Sequence, residues 1–138
     1  MLKSLQVIQK IAKAELDEEA RKLADLNHTL MSYEYEQMDC GNRIISETLN
    51  KTEENMAYVP QFINAMRTRI KSLEGKIEEQ NKLVEVQENI VREHFMNTKK
   101  YEVTIDVVKG KIEEEEKRKE QIEFDDISQR LWFRANFR

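Results

Sequence analysis

From Ile63 to Ile112, stepping by three and four residues in alternation lands on Ile63, Met66, Ile70, Leu73, Ile77, Gln80, Val84, Gln87, Val91, His94, Thr98, Tyr101, Ile105, Val108 and Ile112. This phase holds for about seven heptads, and no proline interrupts it. A repeat of 3.5 residues draws one narrow apolar stripe along an α-helix. The stripe is too narrow for a globular core and suits a coiled-coil partner.

The N-terminal third carries a related pattern: Leu5, Ile8, Ile11 or Ala12, Leu16, Ala20, Leu23, Leu26 and Leu30, continuing through Tyr33, Gln37, Cys40 and Ile44. A second line, Met31, Tyr35, Met38, Ile45 and Leu49, lies beside it and predicts a broader apolar face over residues 30–49. Asp17–Arg21, Glu18–Lys22 and Glu47–Lys51 sit at i,i+4 and support a solvated outer face. Gly41 costs about 1 kcal/mol against alanine and reads as a weak spot rather than a break.

The pattern stops between Leu49 and Phe62. Pro60 lacks the amide a helix interior needs and disfavours α geometry at Val59, yet it suits a first helical turn. The expected fold class is therefore all-α, an antiparallel two-helix coiled-coil hairpin in a single domain. Helix one covers about 2–51, the turn about 52–60, helix two about 61–130 and a tail 131–138. At 1.5 Å per residue helix two would run ~105 Å and helix one ~75 Å. Leu2 then lies opposite residues 112–118, and helix two overhangs beyond them.

In that overhang, Glu113–Lys117, Glu114–Arg118 and Glu115–Lys119 have the favoured acidic-before-basic i,i+4 order. Either this run is a solvated helix, or it is a charged tip that docks into a partner. The closing Leu131, Trp132, Phe133, Arg134 and Phe137 form a candidate contact patch, since aromatic and arginine side chains concentrate at interfaces. A flexible tail and a local fold-back are the alternatives.

Composition supports long helices that bury only a stripe. Of 138 residues, 36% are charged, with three glycines and one proline. The net charge of −4 offers no general reason to expect nucleic-acid binding. Cys40 is the only cysteine, so no intrachain disulfide forms and a reducing cytosol is the default compartment. Lys3, Lys10 and Lys13 interrupt the apolar N-terminal residues, which predicts neither a secretory leader nor a membrane span.

Candidate chemistry is sparse. His28 and His94 lack partners at metal-ligand spacing, and Cys40 lies on an apolar seam where a buried, inert thiol is expected. No phosphate-binding glycine loop and no Ser/His/Asp set is present, so no enzyme, metal or cofactor is expected. Gln80, Gln87, His94 and Thr98 interrupt the apolar seam. Polar residues there fix register, or leave a loosened middle, more readily than they bind a ligand.

Three stretches resemble the FliJ family, the small coiled-coil proteins of flagellar protein export. They are Ala14-Glu15-Leu16-Asp17-Glu18-Glu19-Ala20-Arg21, Gln61-Phe62-Ile63, and Phe124-Asp125-Asp126-Ile127-Ser128-Gln129-Arg130. The resemblance implies a non-enzymatic cytoplasmic stalk, similar to the coiled-coil helices of the rotary ATP synthase gamma subunit. It would reach the inner membrane only through the export apparatus and would not insert in it. The implied partners are the hexameric export ATPase FliI, the gate protein FlhA and export chaperones.

Carried over by position, the resemblance puts the gate contact at Phe62 and Met66, with Gln37 on helix one. Ile44 and Thr48 stand where the family has tyrosines, and Tyr33 and Tyr35, on the turn adjacent to Gln37, are the substitutes. The ATPase contact would involve Leu5, Ile8, Arg21, Lys117, Arg118, Lys119 and Arg130. The isolated chain is expected to be a monomer. Three readings stay open beside this one: a cytosolic chaperone or adaptor for export clients, the equivalent stalk of a virulence-type secretion system, and a plain self-associating coiled coil in which helix two pairs between chains.

Overall fold

The computed structural model describes residues 1–137; Arg138 lies outside the described residues. Helix α1 spans Leu2–Leu49 and helix α2 spans Val59–Phe137, with no strand among the described residues. The fold is an all-α helical hairpin whose second helix is the longer. Strong helix formers fill both elements, and Pro60 stands in the first turn of α2, where an amide would be unpaired anyway. Gly41 does not interrupt α1.

Two compact units divide the chain: Glu15–His94, and Met1–Ala14 with the residues from Phe95 onward. In the unit Glu15–His94, the α2 stripe is covered as its spacing predicts. Leu73 is fully buried, Val84, Gln80 and Gln87 are buried, and Ile63, Met66, Ile70, Ile77, Val91 and His94 are half-buried. Cys40 is buried on α1, in line with Leu16, Leu23, Leu26, Leu30, Tyr33, Gln37 and Ile44. Ala20, expected on this line, is exposed, and the neighbouring Glu19 takes the inward position because Gln87 hydrogen-bonds to it there.

The second apolar line also departs from expectation. Met31, Tyr35, Met38, Ile45 and Leu49 are 58–80% exposed, so the apolar face of α1 does not broaden into the seam. A single facing helix covers only one stripe, and these residues lie beside it.

The turn is tied by Asn55. Its side-chain oxygen accepts from the Thr52 amide at 2.7 Å, and its side-chain amide donates to the Asn50 carbonyl at 3.2 Å. Its own carbonyl accepts from the amides of Tyr58 and Val59 at 3.0 and 3.2 Å. These bonds wind the chain into α2 at Val59, two residues before the expected start at 61. Val59 is buried despite preceding proline.

In the other unit, Ala12, Thr98 and Ile105 are buried, while Leu2, Leu5, Gln9, Tyr101 and Val108 are half-buried. Of the two alternatives Ile11 and Ala12, Ala12 faces inward and Ile11 is 54% exposed. Ile8, expected on the same face, is 41% exposed, and Gln9 takes its place.

Val108 is the last covered residue of α2. Every described residue from Lys109 onward is exposed, including Ile112. The overhang therefore starts before the expected 112–118, in keeping with the earlier start of α2. It also continues as helix through Phe137, which corrects the expectation of a helix end near 130 and a tail from 131.

Candidate functional site

The two glutamines of the seam define its register. Gln80 donates its side-chain amide to the Leu26 carbonyl at 2.9 Å, and Gln87 donates to the Glu19 carbonyl at 3.0 Å. Seven residues up α2 answer to seven residues down α1, which is the antiparallel heptad step. Both acceptors are helix carbonyls with a spare lone pair, and among the described residues no buried polar side-chain atom is left unsatisfied. Gln87 also reaches the Glu19 carboxylate at 2.6 Å. That bond, with Lys22 at 3.1 Å, holds the Glu19 carboxyl below its ordinary pKa. Further along, His94 Nδ1 lies 3.9 Å from a Glu15 carboxylate oxygen.

Closer to the turn, Arg69 on α2 pairs with Glu36 on α1, its Nε donating at 2.9 Å, and this carboxylate raises the guanidinium pKa. Lys76 lies 5.8 Å from the ring centre of Tyr33. By sequence position, the three residues expected to meet an export gate lie near the pair Glu36–Arg69. Gln37 adjoins Glu36, Met66 is one turn from Arg69, and Phe62 is one turn beyond Met66. All three are half-buried, so each offers only part of its side chain to a partner. Tyr35, Met38, Ile45, Met56 and Tyr58 add exposed apolar surface on the same unit. Thr48 turns its hydroxyl back to the Ile44 carbonyl at 2.7 Å.

The residues expected to meet an ATPase fall in both compact units. Arg21 is exposed in the unit Glu15–His94, whereas Leu5, Ile8, Lys117, Arg118, Lys119 and Arg130 belong to the other. Leu5 is half-buried, and the four basic residues of the overhang are exposed. Arg130 pairs with Asp126 at 3.1 Å, one turn back along the helix.

At the end of α2, Leu131, Trp132, Phe133 and Phe137 are 59–67% exposed. Helix geometry sets the rings against one another. Phe133 stacks on Phe137 with centroids 5.0 Å apart, and Trp132 meets Phe137 edge-on at 5.8 Å. Arg134 stands among them in the last turn. The grooves beside these residues, and along Phe95, Met96, Lys99 and Val103, are open to solvent. Among the described residues, no group of three or more His, Cys, Asp or Glu is placed to hold a metal, and no helix is long and apolar enough to cross a membrane.

The Asn55 clasp and the inward Glu19 were not singled out from the sequence. An Asn a few residues before a proline is a turn signal that could have pointed to the first. The Glu19 contact had no local signal, because it depends on which residue faces Gln87.

The molecule is thus a two-helix hairpin protein with exposed apolar and charged faces. Over residues 1–137 the chain matches the family described as FliJ, flagellar FliJ protein, and it belongs to that family. The family is a non-enzymatic structural and adaptor one, and the chain is a component of the flagellar export apparatus. Neither the search of curated proteins nor that of solved structures finds a match.

Proposed function

We propose that this protein is the cytoplasmic stalk of the export apparatus, linking the hexameric export ATPase to the export gate. The observation that carries the reading is the overhang: from Lys109 to Phe137, α2 is helical and exposed. A ring-shaped partner with a central opening supplies the surroundings that such a segment lacks in the free chain. Lys117, Arg118, Lys119 and Arg130 would meet carboxylates of the ring, and Leu131, Trp132, Phe133, Arg134 and Phe137 would bury their side chains there. Leu5, Ile8 and Arg21 would complete the ATPase contact from α1.

Phe62, Met66 and Gln37 would meet the gate. They belong to the unit that does not contain the overhang, and so would let one protein touch both machines. The family's flagellar description favours this system over virulence-type export.

The test is a titration of the protein into a purified flagellar export ATPase. Hexamer formation or ATPase turnover should rise and saturate; a flat response in both would sink the proposal.

A second reading, handling of export chaperones or their clients, is favoured by the exposed line Met31, Tyr35, Met38, Ile45 and Leu49. It predicts suppression of client aggregation that Met38→Asp abolishes while ATPase stimulation persists.

A further inference from the structure

In the unit containing Met1–Ala14, α1 carries two apolar faces. Leu2, Leu5, Gln9 and Ala12 are covered, whereas Val7, Ile8 and Ile11 stand 41–56% exposed on the outer side. Lys3, Lys10 and Lys13 flank this outer stripe, and the first fourteen residues hold no carboxylate. Residues 95–111 of the same unit add four lysines against two carboxylates, with Phe95, Met96 and Val103 exposed among them. The two segments together carry an excess of five positive charges.

The overhang that follows has the opposite character. Residues 112–126 hold eight carboxylates and three basic residues, an excess of five negative charges, and all are exposed. Ile112, Ile122 and Phe124 supply exposed apolar side chains between the charges. The segment is fifteen residues long against fourteen for Met1–Ala14, so each presents about four helical turns. Within one chain the two cannot meet along their length. Helix α2 runs unbroken past Val108, its last covered residue, and carries 112–126 away from α1.

We infer that the occupant of the basic outer face of Met1–Ala14 is the acidic segment 112–126 of a second copy. The contact is reciprocal: each copy offers its overhang to the other, giving an isologous two-fold dimer. Opposite charge, three positive on Met1–Ala14 and two more on residues 95–111 against five negative, together with matched length and apolar side chains on both surfaces, selects this occupant. Two helix contacts of this size stand at the weak end of protein interfaces, below about 1,200 Å² in all. Exposed charge pairs are screened by salt. The dimer is therefore reversible, populated at high protein concentration and low ionic strength, and monomeric when dilute. Ile8 and Lys117–Lys119 are also assigned to the ATPase above, so a second copy and the ATPase would exclude each other. The dimer itself does not depend on that assignment.

Sedimentation velocity of the full chain tests this, run from low to high micromolar concentration at about 0.02 M and about 0.5 M salt. At low salt the mass should climb from 16.5 kDa toward twice that value, and high salt should reverse it. The triple variant Lys3→Glu, Lys10→Glu, Lys13→Glu should stay monomeric, as should Glu113→Lys, Glu114→Lys, Glu116→Lys. An equimolar mixture of the two should dimerise, because each then offers the charge that the other lacks. All six positions are exposed, and circular dichroism checks that both variants keep their helix content. A control reversed at Glu78, Glu79 and Glu85 should not rescue the lysine variant. Monomer at every concentration overturns the proposal. So does a dimer that ignores salt and charge reversal, or a mixture that stays monomeric.

Discussion

Gln87 of α2 donates its side-chain amide to both the carbonyl and the carboxylate of Glu19 on α1, at 3.0 and 2.6 Å. A polar pair thus occupies a layer that a coiled coil would ordinarily fill with leucine. Gln80 makes the equivalent bond to Leu26 without a charged partner. The two layers differ in what their removal leaves behind.

Replacing Gln80 by leucine removes one hydrogen bond and adds apolar burial. It is expected to stabilise the hairpin by about 1 kcal/mol in urea unfolding. Gln87→Leu strips the half-buried Glu19 carboxylate of its strongest partner, so its gain should be smaller or reversed. Equal effects of the two substitutions would contradict the geometry.

Glu19 also predicts a pH dependence. Its pKa is lowered in the folded chain, first by the Gln87 hydrogen bond and then by Lys22. A lowered carboxylate stabilises the fold at pH values above its unfolded pKa and loses that contribution as pH falls through the folded value. The thermal midpoint of the protein should therefore drop more on acidification than that of Glu19→Gln. The two curves should run parallel where the carboxylate stays ionised.

Among the described residues Leu73 is the largest fully buried side chain, whereas Ile45 is 58% exposed although both looked like stripe residues. Leu73→Ala should cost about 2–5 kcal/mol in denaturant unfolding. Ile45→Ala should stay within about 0.5 kcal/mol. Similar losses would mean that the second line of α1 is covered after all.

Asn55 ties the turn through both ends of its side-chain amide. Asn55→Ala removes two exposed hydrogen bonds and should destabilise by about 1–2 kcal/mol. Asn55→Asp keeps the acceptor for Thr52 and loses only the donor to Asn50, so it should fall between alanine and the native protein.

The proposed division of labour separates two variants. Deleting residues 117–138 should abolish stimulation of the export ATPase and leave gate binding intact. Phe62→Ala should weaken gate binding several-fold, read by titration calorimetry, and leave ATPase stimulation unchanged. Loss of both activities in either variant would argue against distinct contact regions.

Much of the fold was legible in the sequence because a heptad stripe is a local property. Ile63 through Val108 face inward at each position that the spacing marks, Gln80 and Gln87 included. Pro60 located the turn to within two residues of the start of α2. Less was legible on α1, where two apolar lines competed. Ile8 and Ile11 have the right chemistry for a seam, yet Gln9 and Ala12 are the covered residues. Hydropathy alone could not choose between lines one residue apart.

The candidate contact residues divide along the same line. Exposure of Lys117–Lys119 followed from a charge run that could not be buried. The mutual stacking of Trp132, Phe133 and Phe137 needed the helix to persist past Arg130. No periodic apolar signal in 131–137 predicted that persistence.

The sequence by itself determined that this protein is two helices joined at one turn, with α2 longer than any partner in the chain. Periodicity, helix-forming composition and a single proline act through neighbouring residues and need no distant contact. Only the tertiary structure decided that Glu19 rather than Ala20 faces Gln87, that cover ends at Val108, and that Met31 through Leu49 offer a line of apolar side chains to solvent. Those outcomes depend on the rotation and register of one helix against the other. Both are set by the sum of contacts along the seam.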